Sequence, residues 1–188
     1  MPQTKSIFFQ LDHQDITAEF DLKFSEVTHE SWPRVQDGIL LIERWSFPAS
    51  IRDEEISLKT IADSDSAAFL SCYSEELSQI VGYVYGDHLG KFADVPGIAS
   101  YKNFNALTHF YLSSVAVHPS WRTRGIGLAL QRRCIERARQ KHYTKVLAHV
   151  HHSFAKKHIP QTNILSSHRN WYDTGETFDY VLLWQLQT

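Results

Sequence analysis

The chain has 188 residues, of which 43% are hydrophobic, 13% aromatic and 21% charged. That balance supports one folded domain and excludes a disordered tail or a low-complexity fibre. Nineteen Lys and Arg against 21 Asp and Glu leave a formal charge of −2, so no whole-molecule basic field draws the protein to nucleic acid or an anionic membrane, and any anion site must be local. Cys72 and Cys134 are too few for a disulfide framework or a thiolate zinc cluster and read as small core residues. No apolar run approaches the ~18 residues of a membrane span, and the N-terminus lacks a signal-peptide core, so a cytoplasmic protein is expected.

In chain order, residues 18–28 alternate Phe20, Leu22 and Phe24 with Glu19, Asp21 and Lys23, the period of a half-buried strand. Val35, Ile39, Leu40, Ile42 and Trp45 recur at helical spacing over 34–46, and a second short helix is expected over 53–62. Residues 67–73 and 79–86 read as two strands joined by a polar hairpin turn, 74–78. The stretch 87–106 carries aromatics without a period, and a loop of that length in a compact domain is commonly functional, so it is the candidate substrate-side loop. Residues 107–117 form the strongest strand of the chain. They are followed by a helix over 125–141 with Leu128, Leu130, Cys134, Ile135 and Ala138 on one face and Arg132, Arg133, Glu136, Arg137 and Arg139 on the other, the latter expected to meet water. Strand 144–150 completes a parallel strand, helix, strand unit, and strand 178–186 closes the chain.

Between the best strand and the best helix lies Val115-Ala116-Val117-His118-Pro119-Ser120-Trp121-Arg122-Thr123-Arg124-Gly125-Ile126-Gly127-Leu128. A strand that empties through a glycine-bearing turn into a helix makes an anion cradle, because the first-turn N–H groups have no intrahelical acceptor and the helix dipole is positive there. Gly125 and Gly127 allow close backbone approach, and Arg122 and Arg124 add charge at the rim. The pattern is neither a dinucleotide fingerprint nor a Walker loop.

Val-x-Val-x-Pro-x-x-Arg-x-Arg-Gly-x-Gly followed by an amphipathic helix resembles the acyl-CoA motif of the GCN5-related N-acetyltransferases, the GNAT superfamily. The specific match covers about 25 residues, and the order of elements fits the fold over nearly the whole chain. The resemblance implies a mixed α/β fold of GNAT type over residues 1–188, with a largely antiparallel central sheet, a splayed parallel pair and flanking helices. It implies acetyl-CoA as co-substrate, held by the backbone of Val115, Ala116 and Val117 along the pantetheine arm and by Arg122, Thr123, Arg124, Gly125, Ile126, Gly127 and Leu128 around the pyrophosphate. It further implies acetyl transfer to an amine, on a small molecule or a peptide, by direct attack in a ternary complex. No metal, nucleic acid or membrane partner is expected, and a homodimer is compatible with the reading.

Relatives often carry a tyrosine before a Gly-Phe pair that protonates the departing thiolate; here the counterpart is Trp171-Tyr172-Asp173-Thr174-Gly175-Glu176, one residue short and without the Phe. Tyr172 is then the general acid, or Trp171 fills the Gly-Phe position and no family tyrosine remains. Relatives also often place a glutamate two residues before the first valine of the motif, where this chain has Ser113. An amine must lose a proton to attack, since its pKa is ~10.4, and the candidates are His109, whose imidazole titrates near neutrality, and Ser113 or Ser114 ordering a water. His149, His151, His152 and His158 cluster near the end of a strand. Without a Cys or carboxylate in ligand spacing they read as a polar wall of the acceptor site or a solvated rim before a zinc site. The rival functions are a non-catalytic CoA-binding sensor on the same fold and a histidine-based metal protein.

Overall fold

The structure is a computed structural model and describes residues 20–186. The expected first strand begins at Ala18, and that start, like the N-terminal segment in which no signal peptide is expected, lies outside the described residues. Eleven principal elements follow: β1 Leu22–Glu26, α1 Trp32–Ser46, α2 Glu55–Ala62, β2 Ala68–Ser74, β3 Gln79–His88, β4 His109–Val117, α3 Ile126–Gln140, β5 Lys145–His151, α4 His152–His158, β6 Ile164–His168 and β7 Phe178–Gln185. The strands form one sheet in the order β1-β2-β3-β4-β5-β7-β6. Only β4 and β5 run parallel, and every other neighbouring pair is antiparallel.

Two layers of helix close on this sheet because its inner strands β2, β3 and β4 bury residues on both faces. On one face Trp32, Ile39 and Ile42 of α1 and Leu58 of α2 pack against Phe69, Tyr83 and Tyr85. On the other, Ile126, Leu130, Cys134, Ile135 and Ala138 of α3 share a stripe at helical spacing and meet Leu70, Cys72, Val84 and Phe110. Cys72 and Cys134 are free and buried there, as the sequence suggests. A fully buried Leu or Ile contributes about 1.5–3 kcal/mol by removal from water, so Leu130→Ala costs more than any surface change through the cavity it leaves. The arginine face of α3 is not simply wet: Arg133 lies over the Phe24 ring at 4.0 Å, Arg137 pairs with Glu26 at 2.7 Å and Arg139 with Glu136 at 2.7 Å.

Beyond β4 no α-helix among the described residues covers the α1 side of the sheet. The segment from Leu89 to Tyr101 lies there instead, with Leu89 and Ile98 fully buried against Tyr111, Leu147 and Tyr180. The expected loop is therefore in part a structural cover, built on the 3-10 turn Leu89–Phe92.

Two elements escape the sequence reading. α4 begins directly where β5 ends, with His151 Nδ1 accepting from the Ser153 N–H as its cap. β6 is a five-residue edge strand, Ile-Leu-Ser-Ser-His, too polar and too short to carry a period.

Candidate active site

The parallel ladder between β4 and β5 runs from His109 opposite Lys145 to Leu112 opposite Ala148 and stops, although β4 continues to Val117 and β5 to His151. On the other side of β4 the register slips at the same level: Ser114 faces Tyr85 and Leu112 faces Gly86, which leaves Ser113 as an extra residue. A bulge of this kind bends its strand and increases local twist, and here it turns β4 away from β5. The gap so opened is a cavity of about 350 Å³ walled by Val115, Ala148, Val150 and Phe154 and floored by Leu112.

At the end of β4 the chain turns into α3. Gly125 is the cap, at φ +82°, a left-handed conformation that a side chain resists. The first bond of the helix runs from the Ala129 N–H to the Gly125 carbonyl at 3.0 Å, so the N–H groups of Ile126, Gly127 and Leu128 precede the intrahelical ladder and point out of its end. A Cβ on Gly127 would meet only Val117 Cγ2, at 3.6 Å. The protein itself therefore tolerates a side chain at 127, and its lack serves whatever approaches the turn. Donors with no Cβ beside them at a positive helix end fit a pyrophosphate. Both arginines are exposed at the turn: Arg122 Nε donates to the Val117 carbonyl at 3.1 Å and its NH2 to Ser46 Oγ at 3.3 Å, while Arg124 stacks on Trp121 at 4.6 Å and Phe20 at 5.4 Å.

A second cavity, about 370 Å³, opens on the α1 side and shares Phe47, Ser113, Ser114, His149 and Phe178 with the first. Its lips are the 3-10 turns Ala49–Ile51 and Trp171–Asp173, which touch. Phe47, Phe92, Trp171 and Tyr172 make it aromatic; Arg52, Asp53, Tyr85 and Tyr111 are among its polar groups.

At the junction of the two cavities Tyr111 Oη lies 2.9 Å from His149 Nδ1. Burial, with His168 adding, pulls the His149 pKa down to about 3, and burial lifts the Tyr111 phenol above its ordinary range. Both groups are therefore neutral, and the bond between them takes its direction from the imidazole tautomer. Two acid–tyrosine–serine chains lie beside this pair. Tyr83 donates to Glu43 and stands 3.4 Å from Ser114 Oγ, while Tyr85 donates to Asp53 and accepts from Ser113 Oγ at 3.4 Å. Burial pushes Glu43 up to about 7 and raises Asp53, the tyrosine bond opposing in each case.

Of the residues singled out from sequence, Ser113 and Ser114 line both cavities and Tyr172 stands at the lip of the second, with φ +44° in a left-handed turn. His109 is not brought there. As the first residue of β4 it sits at the closed end of the parallel ladder beside Tyr101, ~13 Å of strand from Ser113, and burial with Lys145 lowers its pKa. The histidines do not converge: His151 bonds Glu176 at 2.8 Å, His152 bonds Asp179 at 2.9 Å, and among the described residues no group of three or more His, Cys, Asp or Glu could hold a metal. Sequence reading missed Tyr111, Asp53 and Glu43. Tyr111 and His149 approach only through the parallel pairing, and Asp53 lies in an inter-helix connection with no motif around it.

A bulged strand splayed from its parallel partner, with a donor-rich turn at its end, sets the protein among acetyltransferases of one fold. The model described as the Acetyltransferase (GNAT) family matches residues 27–158, and the chain belongs to that family. Among solved structures, ribosomal-protein-S18-alanine N-acetyltransferase from Escherichia coli superposes with a TM-score of 0.62 at 15% identity, over 89% of this chain and 96% of that one. Arabidopsis thaliana NAA60 in complex with acetyl-CoA gives 0.64 at 15% identity, over 87% and 98%, and the NatC complex bound to Gag peptide and CoA gives 0.64 at 10%, over 88% and 99%. At these identities the likeness is one of fold. No curated protein matches the sequence.

Proposed function

We propose that the protein transfers an acetyl group from acetyl-CoA to a primary amine, on a small molecule or a peptide, by direct attack in a ternary complex. The observation that carries this reading is the meeting of two cavities at one level of the sheet, where the bulge at Ser113 and the end of the β4–β5 ladder coincide. Acetyl-CoA, when bound, supplies the acyl group as a thioester. The N–H groups of Ile126, Gly127 and Leu128 hold the pyrophosphate, with Arg122, Thr123, Arg124 and Gly125 completing the turn. The backbone of Val115, Ala116 and Val117, which has no β5 partner, lines the pantetheine arm.

The second cavity takes the acceptor. Its aromatic walls favour an apolar or aromatic group next to the amine. Tyr111, a neutral phenol hydrogen-bonded to His149 on the cavity wall, orients the acceptor nitrogen toward the gap. Tyr172 is the proton donor to the departing sulfur, because burial and the nearby charge of Asp94 keep its phenol protonated. The experiment is thiol release from acetyl-CoA with a panel of phenethylamine, lysine and short peptides with a free N-terminus. Release with at least one amine supports the reading. Acetyl-CoA binding without release for any of them gives the rival, a CoA sensor.

A further inference from the structure

The connection between α1 and α2 carries an acid that the family motif does not contain. Asp53 is half-buried just before α2 and faces the second cavity together with Ser113, Tyr85 and Tyr111. Its carboxylate accepts the Tyr85 hydroxyl, and Tyr85 Oη in turn accepts from Ser113 Oγ, the extra residue of the bulge. A hydrogen-bonded path therefore runs from the mouth of the splay to an ionisable group on the cavity wall. Its twin, Glu43 with Tyr83 and Ser114, is stacked against it, the two phenol rings 6.4 Å apart and 12° from parallel. Glu43, however, is enclosed beneath α1 and is not among the residues that line either cavity.

We propose that Asp53 is the base that takes the proton from the acceptor ammonium in the second cavity, with Tyr85 and Ser113 fixing the carboxylate toward the reacting centre. The assignment rests on the acyl-transfer reading above. An amine arrives as an ammonium ion. Its N–H bond breaks toward the Asp53 carboxylate, which becomes a carboxylic acid, and the electron pair stays on nitrogen. That pair forms the N–C bond at the thioester carbonyl. As the C–S bond breaks its electrons leave on sulfur, which takes a proton from Tyr172; Tyr172 recovers one from the nitrogen, and Asp53 returns its own to water as the amide departs.

The charged and titratable groups around Asp53 agree with this role. Glu43 of α1 accepts the Asp53 N–H at 3.4 Å, and the Asp53 charge adds to the burial that raises Glu43. Arg52, next in the chain, also lines the cavity, its guanidinium donating to the Arg44 and Phe47 carbonyls at 3.1 and 2.9 Å. Tyr85 comes from β3, Tyr111 of β4 feels the Asp53 charge, and Tyr172 lies across the cavity. Burial makes the Asp53 carboxylate more basic than an exposed one.

The test is the pH profile of kcat/KM with the best amine of the panel. Wild type has an acid limb above the ordinary carboxylate range. In Asp53→Asn the rate falls about 10²-fold near neutrality and the deficit closes as pH approaches the pKa of the amine, because the acceptor then arrives deprotonated. Acetyl-CoA affinity is unchanged. Tyr85→Phe removes a bond that favours the charged carboxylate and moves the limb to higher pH. This shift decides the matter even if Asp53→Asn does not fold. A deficit that is constant across pH, a limb that survives in Asp53→Asn, or a limb unmoved in Tyr85→Phe overturns the assignment. Failure of wild type to release thiol with any amine removes the acyl-transfer reading itself, and Asp53 with it.

Discussion

Tyr111 on β4 and His149 on β5 share a 2.9 Å hydrogen bond one residue beyond the last paired rung of β5, Ala148. The bond ties two strands together where their backbones part, and it holds a neutral imidazole in a nest of Trp171 and Tyr180 rings, 4.4 and 4.7 Å away. Its pKa of about 3 has a consequence for stability. Above the unfolded value, ~6.5, both states are neutral there. Below it the unfolded chain takes a proton that the native chain refuses, so stability falls as pH drops through the window between ~6.5 and about 3. Denaturant titrations near pH 7.5 and 4.5 should show a loss for wild type that exceeds that of His149→Gln by about 2–3 kcal/mol. Equal losses would mean the imidazole is protonated in the fold.

Gly127 and Gly125 separate ligand from fold. Gly127→Val adds a side chain where the fold has only an ordinary contact, so the melting temperature should hold while acetyl-CoA affinity, read by calorimetry, is lost. Gly125→Ala forces a Cβ onto the +82° backbone and should cost about 1 kcal/mol of stability. Unchanged affinity in a folded Gly127→Val protein would remove the pyrophosphate assignment.

Glu43 gives a pH effect of opposite sign. Its carboxyl titrates at about 7 in the fold against an ordinary value near ~4.3, so the native chain holds a proton that the unfolded chain has lost. Stability conferred by the protonated acid is complete below ~4.3 and declines as pH rises toward 7. In Glu43→Gln the stability curve should be flatter over that range. A curve that falls as steeply as in wild type would place the proton elsewhere.

The same residues show what the sequence could and could not reveal. Where burial is one-sided and periodic, as in α3 with Leu130, Cys134 and Ala138 on one stripe, the element was legible, and so was the turn from Arg122 to Gly127, because a helix cap at φ +82° leaves its mark as glycine. The splay was legible only through family resemblance. Its physical cause, one surplus residue at Ser113, follows from pairing with β3 and leaves no local signal. His109 had the right chemistry at the wrong end of its strand. β6 and α4 were missed because an edge strand with two serines and a seven-residue helix opening on two histidines carry neither period.

The last prediction concerns the leaving group. A thiolate departs more readily when a proton reaches it as the C–S bond breaks, and thiols titrate near ~8.5, so a donor matters at neutral pH. Tyr172 is 45% exposed at the cavity lip, in a left-handed turn with its ring 4.8 Å from that of Trp171. That backbone conformation disfavours a side chain of its size. Tyr172→Phe preserves the ring and its packing and removes only the hydroxyl. The turnover number should fall on the order of 10²-fold with acetyl-CoA affinity nearly unchanged, the signature of an interaction made in the transition state. The deficit should shrink with an acyl donor whose thiol is more acidic, since that sulfur leaves without help. Equal turnover in the Phe variant, with chemistry shown to be rate-limiting by a pre-steady-state burst measurement, would take Tyr172 out of the mechanism and leave Trp171 as the aromatic wall of the site.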